Sequence, residues 1–318
     1  MANGDVKIVY MGTPDFALPA LSALVHEDWN VSLVVTQPDR PRGRGKSVTP
    51  SPVKLRASEL CLPIAQPDRI KDNAEFVNLI TDLHPDLIVV AAYGKILPRE
   101  LLDIPRFGCV NIHASLLPKY RGAAPIHRAV EAGETETGVT LMYMAEELDA
   151  GDIIAAARID IAGMNTGQVH DLLAPLGAKL LTDTLPAIVA GTAPRVTQDH
   201  DAATYAPMVR KEEGHIDFNA PACVIGNKIR AMNPAPGAYA FLDDMQMKIV
   251  RARVCEDAPN AETAPKPGTL LCVSQDGITV AARDGVVILD VIQAPGKKPL
   301  RVSEYLKGNA IDLGGVFR

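Results

Sequence analysis

Val6-Lys7-Ile8-Val9-Tyr10-Met11 is apolar on both faces but for one lysine. A strand of that kind sits inside a sheet covered by helices on both sides, the position of a parallel strand. Working outward, Val31–Thr36, Leu87–Ala92 and Cys109–His113 have the same texture. Between them lie helical stretches at Asp15–His26, Pro52–Leu60 and Asn73–His84. Ser51 before Pro52 is a good N-cap with proline at the first helical position. This alternation predicts βαβ units and an open, mostly parallel α/β sheet. Val139–Met144 and Ile153–Ile159 read as two further strands, an antiparallel extension, followed by a helix over Thr166–Ala190 kinked near Pro175.

The texture changes at Gly191. Residues 191–207, rich in Thr, Ala, Pro and Asp without clear period, read as a linker. Beyond it, after a helix over Ala222–Met232, come Gly237–Leu242, Met247–Val254, Gly268–Val273, Gly277–Ala282 and Gly285–Ala294, short strand-like runs separated by turn residues. Five such strands predict a small β-barrel, OB-like, in a C-terminal domain over 208–318, with the α/β domain over 1–190.

The chain has 318 residues, enough for two domains, and its 47% hydrophobic and 22% charged residues are those of an ordinary globular protein. No run of roughly 18 consecutive apolar residues is present, so no membrane span is expected. The N-terminus lacks the basic and apolar regions of a signal peptide. The five cysteines (61, 109, 223, 255 and 272) are scattered, with no CxxC pair. That argues against a disulfide framework and a zinc site, and fits a reducing cytoplasm. A net charge of −6 does not mark a nucleic-acid binder. Charge is uneven, however: the C-terminal third is relatively basic, and one dense run, Arg40 to Lys46, lies near the N-terminus. The commonplace explanation of such a run is a solvated loop.

Two glycine-rich stretches are decoys. Met11-Gly12-Thr13-Pro14 has one glycine where a dinucleotide fingerprint needs three, and Gly45-Lys46-Ser47 has Arg40 where a P-loop needs its first glycine. The informative stretch is Gly108 to Pro118. On a strand, Asn111 and His113 share a face near the carboxyl end, where open α/β sheets bind ligands. An isolated Asn-x-His is more commonly a strand end satisfied by loop backbone. Asp149, in Glu147-Leu148-Asp149-Ala150-Gly151-Asp152, adds a carboxylate, although alone it reads more readily as a turn residue or helix cap. Together the three suit acyl transfer to an amine: an amide donor for an oxyanion, an imidazole, and a carboxylate to orient it or carry a proton. Cys109 lies on the same face and offers a nucleophilic alternative, against its deeper position in the strand.

Asn111-x-His113-x-Ser115-Leu116-Leu117-Pro118, followed by Tyr120-Arg121-Gly122-Ala123-Ala124-Pro125-Ile126, resembles the signature of the folate-dependent formyltransferases. Val9 to Phe16, Ala92 to Leu97, Leu148 to Asp152 and Ile292 to Lys298 extend the resemblance over nearly the whole chain. It implies a Rossmann-like catalytic domain and 10-formyltetrahydrofolate as donor, with no metal. It implies catalytic roles for Asn111, His113 and Asp149. The pterin is expected among Tyr93, Gly94, Lys95, Ile96 and Leu97, Ser115, Leu116, Leu117 and Pro118, and Glu147 and Leu148.

Gln37 to Lys46 and Tyr205 to Glu213 resemble the basic loop and linker of the methionyl-tRNA formyltransferases. That resemblance implies initiator methionyl-tRNA as acceptor, contacted by Arg40, Arg42, Arg44 and Lys46 and by the C-terminal barrel, and a monomeric enzyme. Alternating Arg and Gly gives a flexible segment with phosphate-pairing forks. Two alternatives stay open: a formyltransferase acting on a nucleotide-linked amino sugar, and a non-catalytic RNA-binding protein on the same fold.

Overall fold

The computed structural model describes residues 2–42, 47–255 and 265–318. The first part carries β1 (Lys7–Gly12), β2 (Asn30–Val35), a hairpin of β3 (Arg40–Arg42) and β4 (Ser47–Thr49), β5 (Ile64–Ala65), β6 (Leu87–Ala91), β7 (Cys109–His113), β8 (Glu136–Tyr143) and β9 (Ile153–Asp160). Seven of these form one sheet in the order β5-β2-β1-β6-β7-β8-β9. The pairs from β5 through β7 are parallel and β7–β8 is antiparallel. β9 continues in that sense, with Tyr143 N donating to Asp152 O and Gly138 close to Ala157. The expected open sheet with an antiparallel extension is therefore present. The two-residue β5 and the hairpin are additions, too short to leave a period in the sequence.

The helices are α1 (Leu18–His26), α2 (Pro52–Glu59), α3 (Ala74–Leu83), α4 (Arg99–Leu102), α5 (Pro125–Glu131) and α6 (Thr166–Val189). Ser51 caps α2, accepting from Lys54 N at 3.1 Å, and Asn73 caps α3, accepting from Phe76 N at 3.0 Å. Helix α6 continues through Pro175, with a second proline at Pro186, so no interruption occurs there. It is long and apolar enough to cross a membrane by length and composition. Its Val169, Leu173, Leu181, Leu185 and Ile188 are fully buried, as in a core helix. At Gly177 it presses on the sheet: an added Cβ would lie 2.7 Å from Ile112 Cγ2.

The second part has α7 (Ala222–Ala231), β10 (Ala238–Leu242), β11 (Met245–Cys255), β12 (Leu270–Ser274), β13 (Gly277–Ala281), β14 (Val286–Gln293), β15 (Leu300–Arg301) and α8 (Val302–Tyr305). The sheet runs β10-β11-β14-β13-β12, antiparallel throughout, with β15 beside β14. The end of the chain closes it. Phe317 pairs with Leu242 on β10, and Val316 pairs with Thr269 at the start of β12. The barrel interior holds Ile225, Ile229, Met247, Ile249, Val280, Leu289 and Phe317.

The chain divides into two compact units: Met1–Pro125, Thr137–Ile159 and His170–Pro207 form one, and Ile126–Glu136, Asp160–Val169 and Met208–Arg318 the other. Segments 126–136 and 160–169, expected within the first domain, thus cluster with the second. Local bonds account for this: Thr166 Oγ1 donates to Ala231 O at 2.7 Å, and Arg230 donates to Met164 O at 2.8 Å. Residues 191–207 are not a loose linker. Val196 pairs with Ile153, and Tyr205 pairs with Arg121, within the first unit.

Candidate active site

Gly12 on β1, Ala91 on β6 and Ile112 on β7 lie in register across three parallel strands, so their carboxyl ends share one edge of the sheet. Gly12 lets the backbone pass close to Ala17: a Cβ would lie 2.8 Å from Ala17 Cβ. On β7, Asn111 is half-buried and His113 is buried. Asp149 comes from the β8–β9 connection. That connection starts beside Cys109, where Met144 N donates to Cys109 O at 2.8 Å. It then returns, bringing Asp149 Oδ1 to 3.5 Å from Asn111 Nδ2 and Oδ2 to 3.6 Å from His113 Nδ1. The structure thus unites three residues up to 38 positions apart in the chain.

The imidazole of His113 is enclosed on both sides. Its Nε2 lies 3.0 Å from the Tyr120 carbonyl, which can only accept. Both ring nitrogens therefore face acceptors, Tyr120 O and the Asp149 carboxylate, and neither points at open space. The Asn111 amide carries two hydrogens, and its contact with Asp149 uses at most one. Asp149 is held in turn by Gly122 N, donating to Oδ2 at 2.9 Å, and sits in the left-handed region at φ 50°. Such backbone is uncommon outside glycine, and Asp tolerates it better than most residues.

Cys109 is excluded as the nucleophile. It is buried, its thiol faces the Leu101 and Leu102 carbonyls, and burial, with help from Asp103, pushes the thiol up to about 12.

Two domain families match: "Formyl transferase" over residues 6–185 and "Formyl transferase, C-terminal domain" over 208–310. The methionyl-tRNA formyltransferase of Moorella thermoacetica is 50% identical over 313 residues, covering 98% of this chain and 99% of that protein. That of Clostridioides difficile is 46% identical, covering 98% and 100%. The chain belongs to the methionyl-tRNA formyltransferase family. Among solved structures, an N-formyltransferase from Helicobacter canadensis, in complex with folinic acid and dTDP-3-aminofucose, shares the fold. It does so at 17% identity and a TM-score of 0.65, over 91% of this chain and 99% of that one. HypX from Aquifex aeolicus, in complex with tetrahydrofolic acid, does so at 17% identity and a TM-score of 0.62; this chain spans 50% of that longer one.

Within this formyltransferase fold, the residues expected around the pterin divide into two groups. Ile96 is 67% exposed and Leu148 50% exposed, apolar side chains held out to solvent on two loops. Glu147 is exposed as well, and Leu116 and Pro118 are half-buried. Tyr93 is buried, and its hydroxyl has no partner among the described residues. Its ring packs in the core cluster beside Leu97, which leaves the exposed Ile96, Glu147 and Leu148 and the half-buried Leu116 and Pro118 to meet an apolar ring system with polar edges. The others are occupied. Leu97 belongs to the core. Leu117 is also buried. Ser115 is buried and donates to Lys119 O at 2.7 Å. Gly94 adopts φ +79° against Gln37, a backbone role. Lys95 donates to the Pro67 and Asp68 carbonyls, and burial, then the Arg40 charge, holds its amine below the usual range.

Of the basic residues, Arg40 is exposed at the root of the hairpin. That root is anchored: Asp39 pairs with Lys54 at 2.5 Å and accepts from Gln66 at 2.8 Å. Arg42 is placed by its backbone alone, opposite Ser47. Arg44 and Lys46 lie outside the described residues. Sequence reasoning missed Gln198, which donates to the backbone carbonyls on both sides of the Asp149 turn. A lone glutamine in a polar stretch carries no signal of that kind.

Proposed function

We propose that this protein transfers the formyl group of 10-formyltetrahydrofolate to the α-amine of methionine esterified to initiator tRNA, acting as a monomer. The observation that carries the reading is the convergence of Asn111, His113 and Asp149 in a chain alike over nearly its full length to methionyl-tRNA formyltransferases.

The chemistry follows from what each group can do. The neutral amine attacks the formyl carbon, forming the new C–N bond, and the carbonyl oxygen becomes an oxyanion. Asn111 Nδ2 donates to that oxyanion, an interaction stronger in the transition state than before it. Collapse breaks the bond to the folate nitrogen, which takes up a proton as the amine loses one. Asp149, beside both Asn111 and His113, receives the amine proton directly or through water. His113, held between the Tyr120 carbonyl and Asp149, keeps the carboxylate aligned. Ile96, Leu116 and Leu148 contact the pterin.

Acceptor recognition is electrostatic. Arg40, Arg42, Arg44 and Lys46 meet the acceptor end of the tRNA. In the barrel unit, Arg251, Arg253 and Arg301 line a cavity of about 810 Å³, in which Asp290 pairs with the first two and Asp276 adds a second carboxylate. Their planar forks suit phosphate oxygens. The test is to mix the protein with 10-formyltetrahydrofolate and charged initiator tRNA and follow formyl-methionyl-tRNA. Product supports the assignment. Transfer to a nucleotide-linked amino sugar without transfer to the charged tRNA would replace it.

A further inference from the structure

Asp149 stands in an exposed turn. Glu146, Glu147 and Leu148 before it face solvent, and inside the turn Ala150 N donates only weakly to Glu147 O, at 3.4 Å. Left to itself, such a segment samples many conformations, and a left-handed aspartate is not the preferred one. Something outside the turn must therefore fix it.

That something is Gln198. Its side chain is buried, and its Nε2 donates to Asp149 O at 2.9 Å and Gly151 O at 2.7 Å. The amide oxygen accepts twice from Arg121, from Nε at 3.1 Å and Nη2 at 2.8 Å. Arginine can only donate and a backbone carbonyl can only accept, so the amide has a single allowed orientation. Arg121 is itself fixed through its main chain: its N donates to Thr204 O at 2.8 Å, and its O accepts from Ala206 N at 2.7 Å. The next residue, Gly122, donates to the Asp149 carboxylate. An added Cβ at Gly122 would lie 2.9 Å from Ala206 O. The same short segment thus grips Asp149 twice, at its carboxylate through Gly122 and at its main chain through Arg121 and Gln198.

The cost of this arrangement argues that it does more than pack. Arg121 is 1% exposed, and among the described residues its carboxylate neighbour is Glu147, 3.9 Å away and itself exposed. A buried cation without a close counter-ion costs free energy that a packed leucine would not. In return, its fork fixes the orientation of one amide and, through it, the position of one carboxylate.

We infer that Arg121 and Gln198 are positioning residues for formyl transfer, holding Asp149 in register with Asn111 and His113. This rests on the reading that Asp149 takes part in the reaction. Misplacing a reacting group by about 1 Å can cost on the order of 100-fold in rate.

The experiment is steady-state formylation by Gln198→Leu, Gln198→Glu, Asp149→Asn and each Gln198 variant combined with Asp149→Asn, with folding checked by urea unfolding. Gln198→Glu keeps the size of the side chain and a partner for Arg121 but loses both donors to the turn. The expected result is a kcat lowered about 10- to 100-fold in both Gln198 variants, with KM for folate and tRNA changed less than about twofold. In the Asp149→Asn background the Gln198 change should remove no further activity, because both act through one group. Near-normal kcat in the folded Gln198 variants, beside a crippled Asp149→Asn, would overturn the inference while leaving the role of Asp149 intact. Multiplying losses in the double variants would also overturn it, since they describe a general structural effect. Normal kcat in Asp149→Asn would remove the reading beneath it.

Discussion

Cys109 and Asn111 lie two residues apart on one strand, and depth separates them. Cys109 is closed in by α4, whereas Asn111 is half-buried beside Asp149. The buried thiol makes a pH prediction. Its folded value is raised to about 12 from an ordinary 9, so the folded protein holds that proton where the unfolded chain releases it. The stability it contributes is whole below about pH 9 and is lost as pH rises toward 12. Burial raises Tyr93 as well, which adds to the same alkaline loss above about pH 10. Cys109→Ala should therefore flatten the fall in stability above about pH 9 and leave turnover at neutral pH unchanged; urea midpoints across pH and one rate assay check both. Lost turnover would reinstate the thiol.

At this scale strand alternation put Asn111 and His113 on one face and the family signature added Asp149 as the third candidate; their convergence is what the fold supplies. The roles of Ser115 and Gln198 were not readable. Ser115 lies within the signature, yet its hydroxyl is spent on Lys119 O. Gln198 acts at a turn 49 residues away, and no spacing rule reaches that far.

Among elements, the parallel strands announced themselves through apolar runs, and helix α2 through its cap at Ser51. The closure of the barrel did not. It depends on the last residues of the chain, where Val316 and Phe317 bridge the two edge strands β12 and β10, a pairing set by tertiary contact alone. Phe317 is also 2% exposed in the barrel core. Phe317→Ala should cost about 3–5 kcal/mol from the cavity it leaves. Urea unfolding monitored on the barrel unit measures it; a loss below about 1 kcal/mol would show that the closing segment is dispensable. The stretch 191–207 misled the sequence reading for a related reason. Its polar, aperiodic composition is that of a linker, but its backbone bonds go to Arg121, Ala124 and Ile153, so it serves as part of the catalytic unit.

For the molecule as a whole, a net charge of −6 sits uneasily with an RNA substrate until the charge is mapped. The sequence clusters cations from Arg40 to Lys46, and Arg251, Arg253 and Arg301 line the barrel cavity beside Asp276 and Asp290. Local patches, not total charge, should therefore set tRNA affinity. Binding should weaken steeply between roughly 50 and 200 mM salt as phosphate contacts release counter-ions. Folate binding, resting on apolar contacts, should barely change. Replacing Arg42 together with Arg40 should flatten the salt dependence for tRNA and leave the folate Kd alone; equal loss of both would make the hairpin structural.

The most direct test of the catalytic centre is a single-turnover assay of Asn111→Ala with saturating 10-formyltetrahydrofolate and charged initiator tRNA. Loss of the oxyanion donor should slow formyl transfer by about 100-fold or more, with the urea midpoint and folate affinity unchanged. A rate within about threefold of the wild-type protein would show that Asn111 does not meet the transition state, and that the chemistry belongs elsewhere.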